Sequence, residues 1–302
     1  MSRSDGPAEH GGRSADARHV TKKRFGQHFL HDPGILRQIV QAIAPRDGDT
    51  VIEIGPGDGA LTLPLLRALG RLTVIELDRD LIPRLRAAAQ GVGELEIINA
   101  DVLTVDFSAL AGAQPLRVVG NLPYNISSPI LFHCLDHIDA IADMHFMLQK
   151  EVVERMAATP GGKVYGRLSV MLQLVCAVDP LLRVPPGAFR PPPKVDSAVV
   201  RMTPLSPPER PQIDAGLIAR VVRAAFGQRR KTLANALRGL LTSEQIAAAG
   251  IDPRTRAEQL APGSFVALAA LLPPLQGEGR GGDGVDHVDA KRENPSPAKP
   301  SP

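Results

Sequence analysis

Short β-branched runs alternate with helical patterns through the first half of the chain, and this alternation restricts the fold more than any other feature. Thr50–Ile54 (TVIEI), Leu72–Glu76 (LTVIE), Leu95–Asn99 (LEIIN) and Leu116–Gly120 (LRVVG) read as strands, and Ala142–Leu148 (ADMHFML) as another. A glycine-rich turn and a helix from about Ala60 to Leu69 follow the first of them. Strands separated by helices cross over right-handedly, which builds a mostly parallel, doubly wound α/β sheet. Val195–Met202 (VDSAVVRM) reads as a further strand of that sheet. A proline-rich linker at Pro204–Pro211 comes next. From Ile213 to Leu272 the apolar period is helical, so a smaller C-terminal all-α domain is expected there.

Both ends lack apolar residues. Residues 1–20 and 273–302 are rich in Gly, Pro and charge, and cannot bury enough surface to offset chain entropy, so they read as disordered tails. The folded part divides into an α/β domain at 21–204 and a smaller helical domain at 209–272. A hydrophobic fraction of 43% and a charged fraction of 22% are those of an ordinary soluble protein. No apolar run approaches the roughly 20 residues of a membrane span, and the N-terminus has no apolar core like that of a signal peptide. Cys134 and Cys176 lie far apart, without metal-ligand spacing, and read as thiols in a reducing compartment. A cytoplasmic protein without a membrane partner is expected. The net charge of +3 is modest, so the placement of the arginines matters more than their number.

In open α/β sheets, ligands bind at the carboxyl ends of the strands. The first strand runs into Glu53-Ile54-Gly55-Pro56-Gly57-Asp58-Gly59, where glycines let backbone approach a ligand closely. The second strand ends in Glu76, an acceptor for ribose hydroxyls about twenty residues on. Together these indicate an adenosine-containing cofactor, and a nicotinamide dehydrogenase would show both. Two details favour S-adenosylmethionine. The spacing is G-x-G-x-G, not the G-x-G-x-x-G that seats a pyrophosphate on a helix N-terminus. The third strand also leads to Asp101, which can accept from an adenine amine or simply cap a helix.

The fourth strand leads into Asn121-Leu122-Pro123-Tyr124. An exocyclic adenine amine is a poor nucleophile, because its lone pair is delocalised into the ring. The amide oxygen of Asn121 and the carbonyl of Leu122 can accept its two N–H bonds and turn the lone pair toward a methyl donor. Pro123 stiffens the turn, and Tyr124 offers a face for a flipped-out base. An ordinary strand-to-helix turn also uses Asn and Pro, but its place after the fourth strand weakens that reading.

The chain closely resembles the bacterial small-subunit ribosomal RNA adenine dimethyltransferases, the family whose loss confers kasugamycin resistance. The resemblance runs from about Lys23 to Leu272. It rests on KRFGQHFL (Lys23–Leu30), EIGPGDGALT (Glu53–Thr62), VIELDRDL (Val74–Leu81), NLPYNIS (Asn121–Ser127), YGRLSVM (Tyr165–Met171), FRPPPKVDSAV (Phe189–Val199), FGQRRKTLANAL (Phe226–Leu237) and IDPRTRAEQL (Ile251–Leu260). It implies a Rossmann-like class I methyltransferase sheet with S-adenosylmethionine as cofactor. The family's cofactor contacts map onto His28, Leu30, Gly55, Glu76, Asp101 and Asn121. Its target-base contacts map onto Asn121, Leu122, Tyr124 and Phe189, with Phe189 as the second face of an aromatic clamp. His28 stands where many members carry Asn, and a neutral imidazole can donate or accept as an amide does. The implied substrate is the pair of adjacent adenosines in the 3′-terminal hairpin of 16S rRNA within the small ribosomal subunit, each dimethylated at N6, with a role in subunit biogenesis. A monomer is expected.

Arg223, Arg229, Arg230, Lys231 and Arg238 fall on one predicted helical stretch, and no acidic residue interrupts Ala215–Leu241. A charge run is often only a solvated face, but this acid-free one reads as an RNA-phosphate surface. His133 and His137 lie four apart without a third ligand, so no metal is expected. Competing functions are a large-subunit methyltransferase, an assembly factor that has lost catalysis, and a nicotinamide oxidoreductase. The C-terminal QRRKT and DPRTRAEQL segments oppose the first, intact Asn121, Tyr124, Glu76 and Asp101 the second, and NLPY the third. Replacing Arg229 and Arg230 together by Ala is expected to weaken RNA binding and flatten its salt dependence in filter-binding titrations; an unchanged slope would exclude both from the interface.

Overall fold

The computed structural model of the chain describes residues 28–228 and 230–274. Lys23–Gln27, Arg229 and the two expected tails, apart from Pro273 and Pro274, lie outside the described residues. A seven-stranded sheet forms the centre, in the order β4-β3-β2-β5-β6-β9-β7. Strands β2 (Thr50–Ile54), β3 (Arg71–Ile75), β4 (Glu94–Ile98), β5 (Leu116–Asn121) and β6 (Ile141–Gln149) run parallel. Strand β9 (Ser197–Pro204) is antiparallel to both its neighbours, β6 and β7 (Cys176–Val184). A separate two-stranded ribbon pairs β1 (Phe29–Leu30) with β8 (Phe189–Arg190).

All six runs expected as strands are strands. The sequence reading missed β7, whose CAVDPLLRV carries Asp179-Pro180 and shifts register between Pro180 and Leu182. Proline removes a ladder donor and is tolerated at an edge such as this one, where β7 pairs with β9 alone.

Helices α1 (Pro33–Ile43), α2 (Thr62–Leu69), α3 (Ile82–Ala89), α4 (Phe107–Leu110), α5 (Ser127–Asp136), α6 (Lys150–Met156) and α7 (Arg167–Gln173) connect the strands. The start of α1 is set by Asp32, whose carboxylate accepts from the amides of Gly34 and Ile35 at 2.7 and 3.0 Å, with Pro33 in the first turn. Alternation along the strands gives the sheet two apolar faces. Ile52, Ile54, Val118, Phe146 and Leu148 pack on one, and Val51, Val74, Val119, Met147 and Val199 on the other. A third core joins α7 to α8 (Ala215–Gly227), α9 (Leu233–Ala236), α10 (Ser243–Ala248) and α11 (Pro262–Ala269). It is centred on buried Tyr165, whose hydroxyl donates to the Leu260 carbonyl at 2.8 Å. Among the described residues, no helix is long and apolar enough to cross a membrane.

The basic stretch is not one helix. Helix α8 stops at Gly227, Gln228 turns out of helical geometry with φ −134° and ψ 74°, and α9 begins only at Leu233. The amides of Leu233 and Ala234 bond instead to the carbonyls of Thr255 and Pro253, at 2.8 and 3.0 Å. Those tertiary acceptors outcompete continuation of the helix. Arg223 therefore sits on α8, Arg230 and Lys231 on the connector, and Arg238 just past α9.

Arg117 ties the lower end of the sheet together. Its guanidinium donates to Asp49 at 2.6 Å, to both oxygens of Asp143 at 3.0 and 3.1 Å, and to the Ile43 and Ala44 carbonyls that end α1. The side chain is 13% exposed, so removing it strands two carboxylates in a poorly hydrated place. Arg117→Met is expected to cost about 3 kcal/mol and to lower the urea midpoint by about 1 M; an unchanged midpoint would show that the cluster carries no net stability.

Candidate functional site

The site is built where the parallel strands end. The ladder continues one residue past β2, β3 and β5: Gly55 N–H donates to Ile75, Glu76 N–H to Ile98 and Leu122 N–H to Met147, at 2.9, 3.0 and 3.1 Å. The three loops thus leave the sheet in register. Gly55 has φ +67°, and a Cβ built there would meet nothing within 4 Å, so its bare backbone borders open space. At Gly57, with φ +59°, a Cβ would come within 3.0 Å of the Phe29 ring. Only glycine satisfies both backbone and neighbour there.

A cavity of about 360 Å³ opens over these loops, a volume that suits a small-molecule ligand. His28, Leu30, Gly55, Glu76, Asp101 and Asn121 all line it, as do Leu122 and Tyr124. Glu76 is 5% exposed. Its carboxylate accepts from the amides of Asp78 and Gly57 at 2.7 and 3.3 Å. Burial raises its pKa, and these amides oppose that shift without cancelling it. Asn99 fixes the same turn by donating to the Glu76 carbonyl at 2.7 Å. Asp101 accepts from Leu103 N–H at 3.0 Å and caps a short 3-10 turn at Val102–Thr104. The capping role is therefore real, and it holds the carboxylate on the cavity wall.

Asn121 ends β5, and its Nδ2 donates to the His28 carbonyl at 3.0 Å. With the amide nitrogen so engaged, Oδ1 is the end left to accept from a ligand. The His28 ring is anchored in turn by an Nδ1–H bond to the Pro191 carbonyl at 2.8 Å, and lies 5.7 Å from the Tyr124 ring. The Tyr124 hydroxyl meets Ser197 Oγ at 2.7 Å. The site is an apolar crevice with an acidic wall and, at its mouth, an amide oxygen beside an aromatic face.

Phe189 departs from the expectation. It is 1% exposed and packs with Leu30, Ile39, Val184 and Val199 rather than on the cavity wall. Pairing of β8 with β1 sets it opposite Leu30 and turns its ring into the layer beside α1. In this structure the ring is held in that layer, off the cavity wall. Arg223, Arg230 and Lys231 are all exposed and lie outside the cavity lining.

Two residues that support the site escaped the sequence reading. Ser197, which steadies Tyr124, gave no signal beyond a polar residue opening a strand. Glu53 was legible in principle, as an acid inside the apolar run TVIEI. It is 2% exposed and accepts from Thr62 Oγ1 at 2.6 Å. Burial pushes its pKa up to about 8 from an ordinary 4.5. The folded state thus keeps a proton that the unfolded chain releases. The associated stability is full below the ordinary carboxyl pKa and is lost as pH rises through about 8. Urea midpoints of the wild type are expected to decline between about pH 5 and about pH 9 more steeply than those of Glu53→Gln; parallel profiles would refute a buried neutral carboxyl.

Comparison with known proteins agrees with this geometry. The model of the family described as "Ribosomal RNA adenine dimethylase" matches residues 18–273. A "Ribosomal RNA small subunit methyltransferase A" from Xanthomonas campestris pv. campestris (strain B100) is 62% identical over 248 residues, covering 82% of this chain and 95% of that protein. One of the same name from Xanthomonas oryzae pv. oryzae (strain PXO99A) is 62% identical over 252 residues, with 83% and 96% covered. Among solved structures, a dimethyladenosine transferase from Plasmodium falciparum is similar with TM-score 0.68 at 27% identity, covering 80% of this chain and 96% of that one. The 23S rRNA methyltransferase ErmE is similar with TM-score 0.63 at 26% identity, covering 81% and 99%. A family match that spans all but one of the described residues, with relatives of such high identity, places the chain plainly: it belongs to the ribosomal RNA adenine dimethylase family.

Proposed function

We propose that this dimethylase transfers two methyl groups to N6 of each of two adjacent adenosines in the 3′-terminal hairpin of 16S rRNA. The substrate would be held in the small ribosomal subunit, and the reaction would serve subunit biogenesis. The observation that carries the chemistry is the fixed amide of Asn121 beside the Leu122 carbonyl at the mouth of an apolar cavity. The small-subunit assignment draws on relatives at 62% identity that carry that name, against 26% for the large-subunit enzyme ErmE.

S-adenosylmethionine, when bound, supplies a methyl group on a positively charged sulfur. Glu76 suits the ribose hydroxyls of such a cofactor and Asp101 its adenine amine, while Gly55 lets the backbone approach the ligand without a Cβ. His28 and Leu30 close the wall contributed by the N-terminal segment. Asn121 Oδ1 and the Leu122 carbonyl accept the two N–H bonds of the target amine and free its lone pair for in-line attack. Tyr124, held at its hydroxyl by Ser197, stacks on the flipped base. The product ammonium is acidic enough to lose its proton to solvent, so no side-chain base is required. Residues 21–204 then form the catalytic domain and 209–272 the RNA-facing one, with Arg223, Arg229, Arg230 and Lys231 toward phosphates. The protein acts as a cytoplasmic monomer.

Incubation with labelled S-adenosylmethionine and unmethylated small subunits, followed by digestion to nucleosides, is expected to yield labelled N6,N6-dimethyladenosine. Asn121→Ala should lower the rate about 100-fold. Intact cofactor binding with no label in the RNA would overturn the substrate assignment.

A further inference from the structure

Arg167 opens α7 in the YGRLSVM segment, outside the cavity lining, and nothing described so far uses it. Its Nε is enclosed and has no hydrogen-bond partner among the described residues. Arg210 also has an enclosed, unpartnered Nε, but its Nη2 meets Asp139 at 2.7 Å. Arg167 has no such carboxylate among the described residues. The charge that faces it is another arginine: burial, then the positive charge of Arg223, pull Arg167 below its ordinary pKa.

The packing holds the two arginines together. Tyr165, two residues before Arg167, packs its ring edge-on against Phe226, one turn beyond Arg223, with centroids 6.1 Å apart. Ser169 Oγ accepts from Gly166 N–H at 3.1 Å and fixes the first turn of α7. Among the described residues, the only charge that perturbs Arg167 is that of Arg223. Helix α8 itself contains no acid. Arg167 is half-buried, and its enclosed Nε has given up hydration without a hydrogen bond in return; a second positive charge beside it adds to that cost. A group bearing several anionic oxygens relieves both. The planar guanidinium fork matches a phosphate with two parallel hydrogen bonds.

We propose that Arg167 and Arg223 form a phosphate-binding notch at the seam between α7 and α8, which takes one backbone phosphate of the RNA substrate. The notch rests on the RNA reading above. It adds an anchor on the catalytic side of the seam, separate from the connector that carries Arg230 and Lys231. A phosphate held there sets the orientation of the RNA between the two parts of the protein.

The test measures affinity for unmethylated small subunits, and for protein-free 16S rRNA, across a potassium chloride series. Arg167→Gln is expected to bind both about tenfold more weakly, the size of one lost charge-assisted contact. Its log–log salt slope should be shallower by about 1. Arg167→Lys, which keeps the charge but not the fork, should restore the slope and part of the affinity. Arg223→Gln, at an exposed position on α8, should reproduce the loss, and the double variant should be weaker than either by less than the product of the two. Cofactor affinity should remain at the wild-type value in each, and the thermal midpoint should not fall. Unchanged slopes in both Arg167→Gln and Arg223→Gln would overturn the notch. So would a loss seen with whole subunits but not with protein-free RNA, which would assign the site to a protein carboxylate. Wild-type protein that neither binds nor methylates the RNA would instead overturn the substrate reading itself.

Discussion

The three main-chain bonds that carry the parallel ladder past the ends of β2, β3 and β5 determine the rest of the site. Each pins the first loop residue after a strand to a carbonyl at or near the end of its neighbour. Gly55, Glu76 and Leu122 thereby leave the sheet as a row, spaced by the sheet itself rather than by side-chain packing. A parallel sheet buried on both faces is rigid, and loops rooted in it inherit that rigidity. The methyl transfer assigned to this protein needs no strong acid or base, so precise placement is most of what the protein has to supply.

The same burial that makes the crevice rigid makes it electrostatically tense. Two glutamates, Glu53 and Glu76, lie almost wholly out of water, and both have pKa values raised by desolvation. Glu76 is met by two backbone amides and Glu53 by one hydroxyl. With Glu53 kept neutral by its burial, Glu76 is, of the two, the carboxylate left on this wall to accept hydrogen bonds from a ligand. The helical region solves the opposite problem. Arg223, Arg230 and Lys231 stand exposed in a stretch that contains no acid.

The sheet and the cavity wall were legible because the relevant patterns are local. A β-branched run ending in glycines, an acid twenty residues on, and Asn-Leu-Pro-Tyr after the fourth strand each mark one loop, and the sheet brings those loops together. The features that escaped depend on distant partners. Strand β7 hides behind Asp179-Pro180, and its existence depends on β9 offering an edge. The break after Gly227 depends on carbonyls of Thr255 and Pro253, more than twenty residues downstream. Phe189 carries a family-derived role that its pairing with Leu30 turns inward, and no spacing rule shows which way an aromatic ring faces. Ser197 could not be tied to Tyr124, because 73 residues separate them.

The N-terminal wall of the cavity has a consequence for how the protein matures. His28 and Leu30 leave the ribosome early, yet what holds them comes much later: His31 N–H donates to Ala188, the His28 ring bonds to Pro191, and β1 pairs with β8. Asn121 reaches back to His28 as well. During synthesis, the glycine loop and the acidic wall can assemble while this strap still lacks its partners. The strap is fastened only once residues near 190 emerge, and Tyr124 gains Ser197 a few residues after that. The first-made part of the site is among the last to be set, so a nascent enzyme keeps its crevice unlatched until most of the sheet has been translated.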